Sequence, residues 1–390
     1  MCRICRYLML LLVVVLTACN GIDRPFEGTY DQVIIYYGMG YNNLASNLKQ
    51  NLRDLERDVL PELRHDKAIV AFLHTPASYN DYYTPNPPVL VRIYRGPNGK
   101  PVRDTLKTYP EMTVSASAQS MRRVMNEIQE MFPARRYGMV VSSHGSGWLP
   151  KNYKDNSSAS ISLSSVGVQY VGNKVRWLEL PELASAIPYH LNFLILDCCL
   201  CGGIEVAWAL KDVTDRLIAS PTEILVDGMG YSILSWDVFA HEEPDFITYC
   251  EQYYDYYKVR QGGTIVYVDC HQLEPLAEAW RDILEAHRSA LNYYKLSNSV
   301  QRYYYPDASL VYFYDLRDFA VQLGATESEL ARLDAALAAA VPAHRETASF
   351  KGLKLERCCG LSTYIPDPAR PTLNAYYRTL GWNQAVGLIK

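Results

Sequence analysis

Two apolar stretches of the chain end in residues that can move a proton and attack a carbonyl. Residues 138–143 read as a buried strand running into His144-Gly145-Ser146-Gly147-Trp148. Residues 192–197 read as another, running into Cys198-Cys199-Leu200-Cys201-Gly202-Gly203. In open parallel sheets reactive groups gather beyond the carboxyl ends of the strands. Two neighbouring strands can therefore unite His144 and Cys199, which are far apart in sequence. A Cys at a strand-to-helix turn faces the positive end of the next helix dipole, and this predicts a lowered thiol pKa. Gly145, Gly147, Gly202 and Gly203 leave room for a substrate backbone. These residue types point to nucleophilic acyl transfer, with Cys199 attacking and His144 carrying the proton. Asp197, two residues before Cys199, projects to the same side of an extended chain.

Other constellations are weaker. A redox or metal protein is a third reading of the Cys-Cys-Leu-Cys cluster. However, tetrahedral zinc sites usually draw on two separated pairs, and no second Cys-x-x-Cys follows; no metal ligands are assigned. Cys358-Cys359 offers either a partner pair or a disulfide. Gly38-Met39-Gly40 and Gly228-Met229-Gly230 lack the third glycine of a dinucleotide fingerprint. Nothing in the chain calls for a cofactor, and calcium is unsupported by any motif.

The elements that must position the chemistry alternate. Strands are predicted over residues 32–37, 68–74, 89–94, 138–143, 192–197 and 216–220. Helices are predicted over 43–60, 178–187, 204–213, 276–287 and 330–341. A further helix is capped by Ser117, carries Met121, Val124, Met125, Ile128 and Phe132 on one face, and is stopped by Pro133. Residues 149–165 are polar and read as an exposed loop. Unbroken apolar strands alternating with helices imply a mostly parallel sheet covered on both faces, hence an α/β fold. The tyrosine bursts at 253–257 and 303–305 read as half-buried strands and surfaces.

Arg3 and Arg6 precede a short apolar run, residues 8–16, ending in Leu16-Thr17-Ala18-Cys19. A basic start, an apolar run and small residues before a cut site make an export signal, too short for a permanent membrane span. The ending resembles the bacterial lipobox, whose Cys is lipidated, so Cys19 is the expected anchor and the protein an exported, membrane-anchored bacterial lipoprotein. Cys2 and Cys5 leave with the signal, so of ten cysteines seven remain besides Cys19. An odd number in an exported chain predicts at least one free thiol. The net charge of -4 becomes more negative on loss of Arg3 and Arg6, and no basic cluster suits nucleic acid.

At the reactive residues the chain resembles a known family. Ser143-His144-Gly145-Ser146-Gly147-Trp148, with Asp197-Cys198-Cys199-Leu200 and Glu205-Val206-Ala207, is similar to the clostripain family of cysteine peptidases, relatives of caspases, gingipains and legumain. Asn42-Asn43-Leu44, Ala219-Ser220-Pro221-Thr222-Glu223, Tyr314-Asp315-Leu316-Arg317-Asp318-Phe319, Cys359-Gly360-Leu361-Ser362 and residues 377–382 resemble further landmarks. The likeness spans roughly residues 31–390.

The resemblance implies a caspase-like α/β/α sandwich with a mostly parallel central sheet and a C-terminal α+β extension. It also implies peptide and protein substrates cut by a His–Cys dyad. By position, Cys199 is the nucleophile and His144 the acid/base, with the N–H groups of Gly145 and Cys199 as the oxyanion hole. Cleavage after Arg or Lys is implied through acidic residues in the pocket: Asp197 by motif, and Asp227 as the expected second. Some relatives cut themselves between the His and Cys strands, where Lys151 and Lys154 lie here. The chain departs from the family at Cys198 and Cys201, where the usual pattern is Asp-Ala-Cys-Leu-Met. Residues 224–236 also lack the family's Pro-Gly-x-Gly-Trp. A binding lipoprotein without turnover, or a peptidase of non-basic specificity, is the alternative. The expected organisation is a signal over residues 1–19, a linker over 20–30, the peptidase core over 31–245 and an extension over 246–390 packed on it.

Overall fold

The computed structural model describes residues 25–57, 60–151, 166–233, 242–304 and 312–390. Strand β1 (Tyr30–Met39) is its axis. Val33, Ile35 and Tyr37 are buried on one face of β1, and Ile34 and Tyr36 on the other. A strand apolar on both faces has to be covered on both.

The remaining strands are β2 (Lys67–His74), β3 (Val89–Arg95), β4 (Pro101–Thr108), β5 (Ala134–Ser142), β6 (Phe193–Asp197), β7 (Arg216–Ala219), β8 (Thr264–Asp269) and β9 (Ala343–Glu346). They form a nine-stranded sheet in the order β9-β8-β7-β6-β5-β1-β2-β3-β4. The inner five, from β7 to β2, run parallel. Two antiparallel strands flank each end. The sheet is therefore parallel where it is covered and antiparallel towards its edges.

Helices α2 (Ala118–Met131), α3 (Leu180–Ala186), α4 (Ile204–Leu210) and α6 (Leu273–Ala286) pack on one face; α1 (Ala45–Arg57) and α5 (Phe246–Tyr257) cover the other. Ser117 caps α2 by accepting from the Ser120 N–H at 3.2 Å. The helix buries Met121, Val124, Met125 and Ile128, the face its spacing predicts.

Two regions differ from the sequence reading. The tyrosines of 253–257 lie on helix α5, with Tyr249, Tyr253 and Tyr257 buried as one stripe. Aromatic residues favour strands as types, but four-residue spacing put these on one helical face. Strand β4 was unread because it is an edge strand with mostly exposed side chains and no apolar run. Strands β8 and β9, both from beyond residue 245, extend the same sheet as the strands before it.

Candidate active site

The carboxyl ends of β1, β5 and β6 lie side by side, with Gly38 opposite Ser142 and Ser142 opposite Asp197. Buried Asn42 fixes the chain leaving β1. Its amide donates to the carbonyls of Met39 at 3.0 Å and Val168 at 2.7 Å, and its Oδ1 accepts from the Leu44 N–H at 2.8 Å. Ser143 ties β5 into the same knot by donating to Met39 O at 2.9 Å and accepting from the Val168 N–H at 3.1 Å.

On this fixed base, His144 Nε2 meets Asn43 Oδ1 at 2.6 Å. An amide oxygen only accepts, so Nε2 carries the proton and Nδ1 keeps its lone pair. Burial lowers the His144 pKa below the usual imidazole range, and the Glu223 carboxylate partly opposes this. Asn43 was quoted above only as a landmark. Its place directly after β1, the neighbour of β5, is the signal that identifies it as a partner of His144.

Cys199 lies beyond β6 in a turn that passes through Leu200, a non-glycine residue at φ +62°. That left-handed conformation costs a residue with a Cβ roughly 1–2 kcal/mol, and the Leu200 N–H to Thr222 O bond at 2.9 Å helps hold it. Cys199 Sγ accepts from the Ile224 N–H at 3.3 Å. Burial pushes the thiol up to about 12, which corrects the expectation of a lowered pKa. Helix α4 starts only at Ile204, so its dipole is displaced from the sulfur while desolvation acts on it directly. Burial thus favours the uncharged form of both thiol and imidazole.

His144, Cys199 and Asp197 line one cavity of about 330 Å³, together with Asn43, Asn47, Asn51, Glu223 and residues 224–226. Glu223 also bonds to Lys351 Nζ at 2.9 Å, and its position could be read from the sequence only as part of a landmark. Asp197 is buried at 6 % exposure. Its Oδ2 accepts from Ser142 Oγ at 2.7 Å and from Tyr231 Oη at 2.8 Å. Burial raises its pKa, and bonds from Ser142, Tyr231 and the Met229 N–H act against that rise.

Asp227 is not among the residues lining the cavity. Its carboxylate pairs with Arg260, whose guanidinium also lies over the Tyr256 and Tyr257 rings. Lys151 is exposed and bonds to Glu179 at 3.0 Å; Lys154 and Cys19 lie outside the described residues.

The His144 and Cys199 loops meet closely. A Cβ on Gly145 would sit 2.7 Å from Cys198 Cβ and 2.9 Å from Cys199 O, so only glycine fits. Among the described residues, the N–H groups of Gly145 and Cys199 meet no protein acceptor. The seven cysteines among the described residues are free thiols, with Cys198 and Cys201 buried beside Cys199. No group of three or more His, Cys, Asp or Glu among the described residues is placed to hold a metal ion. No helix among them is long and apolar enough to cross a membrane.

The C-terminal segment clasps the same loop. Gly202 O accepts from the Ser362 N–H at 3.0 Å. Buried Glu205 accepts at Oε1 from Thr363 Oγ1 at 2.8 Å, the Tyr364 N–H at 3.1 Å and Tyr377 Oη at 2.6 Å.

Comparison with known proteins identifies the family and the fold. The model of the Clostripain family, Peptidase_C11, matches residues 92–354. A zymogen C11 protease from Parabacteroides distasonis, solved in an inactive form, is 26% identical with a TM-score of 0.76, covering 93% of this chain and 99% of its own. A secreted C11 cysteine protease from Bacteroides thetaiotaomicron, iotapain, is 27% identical with a TM-score of 0.75, covering 92% and 100%. A C11 protease from the same species, in complex with an irreversible peptide inhibitor, shares the fold at 22% identity and a TM-score of 0.75, covering 91% and 98%. None of the curated proteins shows significant similarity to the chain. With a caspase-like α/β fold and a family match over most of its length, the chain belongs to the clostripain family and is a cysteine peptidase.

Proposed function

We propose that the protein is an exported endopeptidase in which Cys199 and His144 form the catalytic dyad and Asp197 recognises a basic side chain before the scissile bond. The observation that carries this reading is the shared cavity, which joins a thiol and an imidazole at neighbouring strand ends to a buried carboxylate. With both groups neutral at rest, the proton leaves Cys199 as sulfur attacks. The S–C bond forms, the carbonyl electrons move to oxygen, and His144 Nδ1 takes the proton. The N–H groups of Gly145 and Cys199 face the resulting oxyanion. When the C–N bond breaks, the leaving amine takes that proton from His144. Water, deprotonated by His144, then releases the acyl group from sulfur.

Asp227 is left out of the proposed pocket because Arg260 already occupies its carboxylate. Cleavage of the chain after Lys151 or Lys154 belongs to the same reading, since both follow the His144 strand in sequence. Anchoring through Cys19 completes it, supported by the Leu16-Thr17-Ala18-Cys19 ending, while the secreted relative supports export alone.

The test uses the reduced mature chain and its Cys199→Ala variant on fluorogenic peptides with Arg, Lys, Asp or Ala before the cleaved bond. Cleavage after Arg or Lys that is absent in the variant is expected. Cleavage only after Asp or Ala removes the basic pocket from the reading. Equal turnover by both proteins removes the dyad.

A further inference from the structure

The two oxygens of Asp197 are not equivalent. Oδ2 takes two hydroxyl donors, Ser142 Oγ at 2.7 Å and Tyr231 Oη at 2.8 Å, which use both of its lone pairs. The Met229 N–H also favours the ionised form of the same carboxylate. One side of the group is also closed by backbone. A Cβ on Gly228 would lie 2.9 Å from Oδ2 and 3.0 Å from Oδ1, and Gly228 holds φ at +67°. The carboxylate is held through Oδ2 and closed along one flank, which leaves Oδ1 as the oxygen with lone pairs for a ligand in the cavity that Asp197 lines.

Arginine and lysine use such an edge differently. A guanidinium gains its advantage from two parallel N–H···O bonds to both oxygens of a carboxylate. Here the second oxygen has no lone pair left for the fork, so a guanidinium arriving at Oδ1 makes one bond to the carboxylate where its geometry is built for two. An ammonium is a point charge that needs one charged oxygen and neutral acceptors for its other protons. Asn47 and Asn51 line the same cavity and carry amide oxygens.

We infer that the Asp197 pocket, on the reading that it holds the side chain before the scissile bond, selects lysine over arginine, and that Ser142 and Tyr231 set this choice by occupying Asp197 Oδ2.

The experiment compares kcat/KM of the full mature chain on two fluorogenic peptides that differ only in Lys or Arg before the cleaved bond. Ala and Asp peptides run alongside. Lys is expected to exceed Arg by about tenfold or more, the value of one charge-assisted hydrogen bond. Ser142→Ala and Tyr231→Phe each free a lone pair on Oδ2, and each is expected to lower the Lys-to-Arg ratio severalfold through a gain on the Arg peptide. Equal or preferred cleavage after Arg by the unaltered chain overturns the inference and leaves the basic-specific peptidase standing. A wild-type preference for Lys that neither variant changes overturns the role of Ser142 and Tyr231. Cleavage only of the Ala or Asp peptide overturns both this inference and the assignment of Asp197. Because the wild-type ratio is decisive alone, a variant that fails to fold does not protect the inference.

Discussion

The carboxylates of Asp197 and Asp227 belong to two regions that the fold treats in opposite ways. Asp197 ends a parallel strand, is buried and accepts from two hydroxyls, and no cation among the described residues pairs with it. Asp227 lies on the irregular segment after β7, partly exposed and already paired with Arg260. The first carries an unmet demand for positive charge into a cavity. The second has its demand met at the surface, where such a pair contributes little. On the proposed reading, a carboxylate serves recognition where the fold withholds its counter-charge.

The largest expected effect is on the proposed dyad that shares a cavity with Asp197. Cys199→Ala or His144→Ala should lower kcat/KM by about ten-thousandfold or more, measured with the best peptide substrate. Asp197→Asn should cost on the order of a hundredfold or more on a basic peptide and far less on a neutral one. Its stability should move the other way. Because burial raises the folded-state pKa of Asp197, the ionised group opposes folding at pH above that value. Below the unfolded value both states are protonated and this cost is gone. The Asn variant should therefore melt at or above wild type at neutral pH, with the gain disappearing near about pH 4; a lower melting temperature at neutral pH would count against the unmet charge.

Asn43 offers a finer test. Asn43→Ala should lower kcat by about tenfold to a hundredfold, as expected when an acid/base loses its orienting partner. Asn43→Asp places an anion beside the imidazole and favours its charged form. The acidic limb of the kcat/KM profile should then move up by about one pH unit or more. An unmoved limb would show that the limb does not report His144. The smallest effect belongs to Asp227→Asn: within about 1 kcal/mol in stability, and no change in the Lys-to-Arg ratio. A lost basic preference in that variant would erase the contrast between the two carboxylates.

The legible part of the molecule is the part governed by periodicity. The inner strands are continuous apolar runs because both faces are covered, and α2 shows its buried stripe and its Ser117 cap openly. His144 and Cys199 were readable because glycine-rich turns mark the ends of such strands. The segment over residues 223–233 has no period to read, and its course depends on Gly228 and Gly230 in left-handed conformations and on Tyr249 and Tyr257 donating to its carbonyls. Hence the assignment of Asp227 to the pocket had no geometric support in the sequence. The thiol pKa was misjudged for a related reason: a helix start can be predicted locally, whereas burial of Cys199 depends on Ile224 and its neighbours folding over it.

The clasp between the Cys199 loop and residues 362–377 also sets an order of assembly. Gly202 is tied by Ser362, and buried Glu205 by Thr363, Tyr364 and Tyr377. Until those residues emerge from the ribosome and fold back, Glu205 has lost its donors and the turn carrying Cys199 lacks that support. Synthesis from the N-terminus thus makes the turn carrying Cys199 well before the residues that brace it, so that turn waits on residues 362–377 for its full support.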